Sequence, residues 1–114
     1  MKLYIGTSGY YYSNWKKYFY PINLSQNDYL KYYSNYFNSV EINNTFYKIP
    51  SKKTITKWYN DTPTNFKFII KMNNYITHYK KLTDIDKVLK NFLEIINLLK
   101  KKIILYIISI WEKF

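Results

Sequence analysis

Apolar residues in this chain follow two alternating rhythms. Residues 3–5, 39–47, 66–72 and 103–110 carry the short apolar or every-second-residue pattern of strands. Between them, apolar positions recur every three or four residues, as on one face of a helix. The first strand, Leu3-Tyr4-Ile5, reads as short and buried, stopping at the Gly6 loop that Phe19-Tyr20-Pro21 closes. Over 25–37, Tyr29, Leu30, Tyr33 and Phe37 share a helical face. Pro50-Ser51 starts a second helix, with Ile55, Trp58 and Tyr59 inward, and Thr62-Pro63 ends it. Thr83-Asp84-Ile85-Asp86 has capping-box form and opens a third, whose stripe runs Ile85, Val88, Leu89, Phe92, Ile95, Ile96 and Leu99. Lys100, Lys101 and Lys102 then suit the negative end of that helix.

The order β-α-β-α-β-α-β predicts an α/β fold: a parallel sheet joined by right-handed crossovers. A length of 114 residues suits one domain, residues 1–114, with one core. The run 103–110 is apolar throughout, as in a strand covered on both faces.

Charge adds less than its size suggests. The net charge of +11 would ordinarily point to nucleic acid or an anionic surface. All eighteen basic residues, however, are Lys, spread along the whole chain, and the Arg fork that reads phosphates and bases is missing. The chain is also rich in Tyr, Ile and Asn, has no Ala, and holds only two glycines. That skew fits A/T-rich codons, and a solvated basic surface follows from it without any nucleic-acid partner. A Lys- and Tyr-rich module that holds single-stranded nucleic acid is the alternative reading, and it requires steep salt dependence. The absence of Cys rules out disulfides and thiolate metal sites within the chain. The longest apolar run is far short of the roughly 20 residues of a membrane span, and a cytoplasmic location is expected.

Candidate chemistry gathers at strand ends. Val40 and Ile42 would face the helices, which turns Glu41 and Asn43 to the other side of the same strand. Lys71, near the end of the third strand, falls close to Glu41. An acid and an amine so placed serve proton transfer, hold a polar ligand, or form a purely structural ion pair. His78 is the single histidine, in the loop that follows, and suits general acid–base work or a surface role equally. One His and no Cys exclude a multi-histidine metal centre within the chain; a carboxylate-bound Mg²⁺ finds little support in seven scattered acidic residues, so no metal is assigned and any cofactor is unknown. Both glycines fall in Gly6-Thr7-Ser8-Gly9, a structural turn or a small cradle for an anionic group. The first-loop tyrosines, Trp15, Phe46 and Tyr47 form an aromatic collection that either stacks on a ligand or simply packs.

Four clusters in register carry a family resemblance. They are Gly6-Thr7-Ser8-Gly9, Phe19-Tyr20-Pro21, Val40-Glu41-x-Asn43-x-Thr45-Phe46-Tyr47-x-x-Pro50, and Lys71 followed by Ile76-Thr77-His78. Together with Trp58 and Thr62-Pro63-x-x-Phe66-x-Phe68, this set resembles the YecE-like family, also called domain of unknown function 72, over residues 3–99. The resemblance implies a (β/α) TIM-type barrel with its candidate site at the C-terminal ends of the strands. It also implies Glu41, Lys71 and His78 as catalytic candidates, and Gly6, Thr7, Ser8, Gly9, Asn43, Tyr47 and Thr77 as residues around a small-molecule substrate. The family's activity is not established. Two departures stand out: Tyr10 replaces a Trp, and Ile107-Ile108-Ser109-Ile110 lacks the family's Gln-x-Pro-Pro element.

A full barrel needs about 250 residues, so the chain corresponds to an N-terminal half-barrel. A truncated or frameshifted gene is the favoured expectation. The others are a split gene with a second half-barrel chain, or a homodimer through the open sheet edges.

Overall fold

A computed structural model describes residues 2–42, 49–72 and 85–107, with side chains for all of these but 71–72, 85–89 and 105–107. Four strands, β1 (Gly6–Ser8), β2 (Ser39–Ile42), β3 (Lys67–Met72) and β4 (Ile103–Ile107), form a parallel sheet in chain order. The helices between them are α1 (Tyr29–Tyr33), α2 (Lys52–Asp61) and α3 (Ile85–Ile96). Turns of 3-10 helix, Gln26–Asp28 and Asn97–Lys102, lead into α1 and continue α3. The expected α/β architecture is what forms.

Register explains the two faces of the sheet. Thr7, Val40, Phe68 and Ile103 make one row, and Ser8, Glu41, Ile69 and Ile104 make the next. Val40, Ile42, Phe68 and Ile70 are buried beneath the helices, in one core with Tyr33, Ile55, Phe92 and Leu99. Trp58 of α2 stacks on Phe68 of β3 at 5.7 Å and 12°. The second row lies on the opposite face, where Ile104 keeps 38% of its surface exposed.

Local signals place α2 well. The Ser51 hydroxyl accepts the Thr54 N–H at 3.1 Å, which satisfies one of the donors left over at a helix start. At the other end the Thr62 hydroxyl donates to the Trp58 carbonyl at 2.9 Å, and Pro63 prevents continuation. α1 is shorter than its apolar pattern, but Tyr29, Leu30 and Tyr33 are all buried as expected.

Three expectations need correction. The first strand is Gly6–Ser8, not residues 3–5. Leu3 and Ile5 are exposed, and their backbone pairs with a side chain in place of a strand: Asn38 Oδ1 accepts the Ile5 N–H at 2.7 Å and Nδ2 donates to the Leu3 carbonyl at 2.7 Å. Gly6 therefore opens a strand rather than ending one. Second, α3 gives way to 3-10 helix after Ile96, although Leu99 stays buried, and Lys100 adopts a left-handed φ of 52°. Third, Lys102 does not serve its own helix. It is buried, and its ammonium donates to the carbonyls of Tyr59 (2.6 Å) and Thr62 (2.8 Å) at the C-terminal end of α2. The Tyr59 ring adds a cation–π contact at 4.1 Å. The capping sequence at 83–84 and strand residues 43–47 and 108–110 lie outside the described residues.

Candidate functional site

In a parallel α/β sheet the chemistry is expected where strands end and their following loops begin. At that end of β1 and β2 the chain places Ser8, Gly9 and Glu41. Ser8 and Glu41 are register partners, and the Ser8 hydroxyl donates to Glu41 Oε1 at 3.3 Å. The Gly9 N–H donates to the Glu41 carbonyl at 2.8 Å, which continues the ladder one residue past the strand. Gly9 turns the chain with φ +78°, a conformation that favours glycine. Glu41 is half-buried, with its carboxylate on the face away from the helices.

Gly6 has a different reason. A Cβ built there would lie 2.0 Å from the Ser39 carbonyl oxygen. The two backbones meet this closely around a wedge: the Tyr33 hydroxyl accepts the Thr7 N–H at 2.8 Å and donates to the Ser39 carbonyl at 2.9 Å. A side-chain hydroxyl thus stands in for a rung between β1 and β2. Burial raises the Tyr33 pKa, so the neutral, donating form is the one held there.

Thr7 belongs to this scaffold. Its hydroxyl donates to the Gly9 carbonyl at 2.6 Å and lies 3.0 Å from the Tyr33 hydroxyl, on the helix side of the sheet. The N–H groups of Thr7 and Gly9 are both committed to protein acceptors, so an anion cradle cannot draw on them. The tyrosines divide as well. Tyr10 and Tyr20 pack inward, Tyr20 stacking on Tyr29 at 4.0 Å and 3°. Burial pushes the Tyr10 hydroxyl pKa up to about 12 and raises that of Tyr20 too. Tyr12 leans over the rim, its hydroxyl donating to the Ser8 carbonyl and its ring 4.7 Å from Trp15. Of the aromatic collection, Tyr10 and Trp15 pack against the core, Tyr11 and Tyr12 stay exposed, and Phe46 and Tyr47 lie outside the described residues.

Of the remaining candidates, Lys71 is placed by its backbone. It pairs with Tyr106 and stands two residues beyond Ile69, the register partner of Glu41. Asn43, Tyr47, Thr77 and His78 lie outside the described residues. Among the described residues no three His, Cys, Asp or Glu side chains cluster as a metal site. No helix among them is long and apolar enough to cross a membrane. A hollow of about 520 Å³, framed by Leu3, Ile5, Phe37 and Phe66, opens at the other end of the sheet, away from Ser8 and Glu41. Tyr33 and Asn38 escaped the sequence reading as supports of the site. The only cue was that both sit just before a strand, within reach of its start.

A family model described as a protein of unknown function, DUF72, matches residues 4–114. The chain is 33% identical over 64 residues to the UPF0759 protein YecE of Escherichia coli strain K12, covering 56% of this chain and 24% of that protein. A DUF72 family protein from Thermotoga maritima superposes with a TM-score of 0.69 at 31% identity, over 89% of this chain and 41% of that one. One from Enterococcus faecalis gives 0.67 at 21% identity, over 88% and 36%. Their TIM-barrel-like fold makes the four-stranded sheet an incomplete α/β half-barrel. The chain spans about a quarter of the curated relative's length and about two fifths of these structures.

Proposed function

The chain belongs to the DUF72 family, and we propose that it forms the N-terminal strand–helix units of a (β/α)8 barrel whose rim binds a polar small molecule. The observation that carries this reading is the Ser8–Glu41 pair, 3.3 Å apart at the C-terminal ends of β1 and β2. Both groups stand on the open face, and the backbone rather than their own contact holds them in place. A half-exposed carboxylate beside a hydroxyl accepts hydrogen bonds from the hydroxyls of a sugar or polyol, and it can take a proton from one of them. A phosphate on the same ligand would fall to Lys71, since the N–H groups of Thr7 and Gly9 are committed to protein acceptors. Asn43, Tyr47, Thr77 and His78 complete the proposed polar set.

The test is isothermal titration of the 114-residue chain against a panel of sugars, polyols and sugar phosphates, repeated with Glu41→Gln and Ser8→Ala. Glu41→Gln is expected to weaken binding at least tenfold, or about 1.4 kcal/mol, with the unfolding midpoint little changed. Binding that ignores both substitutions, or no binding across the panel, overturns the proposal. A Glu41→Gln variant that loses stability but not affinity would make Glu41 a structural group.

A further inference from the structure

The N-terminal end of the sheet carries a concavity that the rim site does not use. The segments leading into the four strands, 2–5, 34–38, 62–66 and 97–102, are all among the described residues. Beside the apolar hollow of Leu3, Ile5, Phe37 and Phe66 lies another of about 480 Å³, lined by Lys2, Lys67 and Lys101. The two share Leu3, Asn38 and Asn65, so they adjoin along that wall. Each has the size of a small-molecule site, roughly 300–1,000 Å³. No described Asp or Glu lines either one.

Like charges gathered without a counter-charge repel, and the backbone beside them is strained. Lys100 holds a left-handed φ of 52°, a conformation disfavoured for any residue with a Cβ. Its neighbours divide around that turn. Lys102 reaches the end of α2, whereas Lys101 lines the basic hollow, and its carbonyl accepts the Lys67 ammonium. Strain of this kind clusters at ligand sites, and here it accompanies two lysines set against each other.

We propose that the two hollows form one site for a free amphiphilic anion, an apolar chain ending in a carboxylate or phosphate. The chain lies along Leu3, Ile5, Phe37 and Phe66, and covers Leu3 and Ile5, which are otherwise 70% and 57% exposed. Lys2, Lys67 and Lys101 hold the head as point charges. Apolar and cationic surfaces side by side, with no carboxylate between them, fit this ligand better than a neutral sugar or a metal cation. The site lies at the opposite end of the sheet from Ser8 and Glu41 and does not rest on the ligand proposed there.

Isothermal titration of the 114-residue chain at low salt tests it, with octanoate below its micelle-forming concentration as the probe. One equivalent should bind at least about tenfold more tightly than octanol or acetate, each of which lacks one half of the ligand. Lys2→Gln combined with Lys101→Gln should weaken octanoate about tenfold, and Leu3→Ser about fivefold. All three positions are exposed, so urea unfolding midpoints should change little. Octanol or acetate binding as tightly as octanoate would remove the lysines or the apolar hollow from the site and overturn the proposal. Octanoate that binds both variants as tightly as the original, or does not bind at all, would overturn it as well. Binding only to vesicles of phosphatidylglycerol would make the occupant a membrane surface and overturn the free ligand.

Discussion

Alanine at either glycine of the first turn adds the same methyl group, but the two sites should respond very differently. At Gly6 the new Cβ meets the Ser39 carbonyl oxygen at 2.0 Å and its carbon at 2.6 Å, both backbone atoms. Ordinary contact begins near 3.4 Å, so β1 must retreat from β2 by about 1.4 Å. That retreat strains the Tyr33 wedge and the rung from Gly9 to the Glu41 carbonyl. Overpacking of this kind costs about 1–3 kcal/mol, and each hydrogen bond lost adds about 0.5–1.5 kcal/mol. Gly6→Ala should therefore cost about 3–5 kcal/mol, a large share of the roughly 5–15 kcal/mol that holds a domain together. At Gly9 the Cβ meets the far end of the Tyr12 side chain at 2.9 Å, and that ring can swing away. What remains there is the left-handed backbone, φ +78°, worth about 1–2 kcal/mol for a residue with a Cβ. Urea unfolding followed by circular dichroism reads the difference. With a slope of about 1–3 kcal/mol per molar, the difference of about 1–4 kcal/mol should put the Gly6→Ala midpoint below that of Gly9→Ala by about 1 M at the centre of these ranges. Equal midpoints, or a lower one for Gly9→Ala, would refute the close approach of β1 to Ser39.

Two tyrosines offer a matched pair. Tyr33→Phe removes an acceptor for Thr7 and a donor to Ser39, and should cost about 1–3 kcal/mol by urea unfolding. The Tyr29 hydroxyl is buried with no hydrogen-bond partner among the described residues, so Tyr29→Phe should be neutral or stabilising in the same assay. Lys102→Met leaves the Tyr59 and Thr62 carbonyls unanswered and should lower stability by about 1–3 kcal/mol at neutral pH. Burial raises the hydroxyl pKa of Tyr10 to about 12, and raises Tyr20 and Tyr33 as well, so stability held below pH 10 should fall as pH climbs from 10 towards 12. Lys102 is shifted the other way by burial, so it opposes this loss as pH approaches 10.5; a urea midpoint that stays flat from pH 9.5 to 12 would contradict the buried tyrosines.

Local grammar carried most of the fold. Ser51 and Pro63 bracket α2 because a cap and a breaker act through their immediate neighbours. Val40 with Ile42, and Phe68 with Ile70, went to the core because alternation is a property of the strand itself. The misplacement of β1 has the opposite origin. Leu3-Tyr4-Ile5 looks more strand-like than Gly6-Thr7-Ser8, but the former aligns along an Asn38 side chain that only the fold brings near. Lys102 is similar: the helix end it caps belongs to residues some forty positions earlier. Once β1 is extended to Ser8, the same alternation that exposed Glu41 sorts the first cluster. Gly6 and Ser8 share the face of Glu41, and Thr7 turns to the helices and Tyr33. The strand faces that carry Ser8 and Glu41 were thus legible, and the supporting contacts of Tyr33 and Asn38 were not.

That division between partners and support predicts how the site should behave. The Ser8–Glu41 contact is long, 3.3 Å, and half-exposed, and a contact of this kind contributes little to folding. Their relative position is fixed instead by the backbone rung at Gly9, by the absence of a side chain at Gly6, and by the hydroxyl of Tyr33. A hydroxyl and a carboxylate whose spacing is set by the backbone around them keep that spacing when a ligand engages them. Substitutions at Ser8 or Glu41 should then alter binding at nearly constant stability. Substitutions at Gly6 or Tyr33, which touch no ligand, should lower stability first and affinity only as the spacing of β1 and β2 is lost. A Tyr33→Phe chain whose ligand affinity falls while its unfolding midpoint stays fixed would break this separation, and would place the Tyr33 hydroxyl in the site itself.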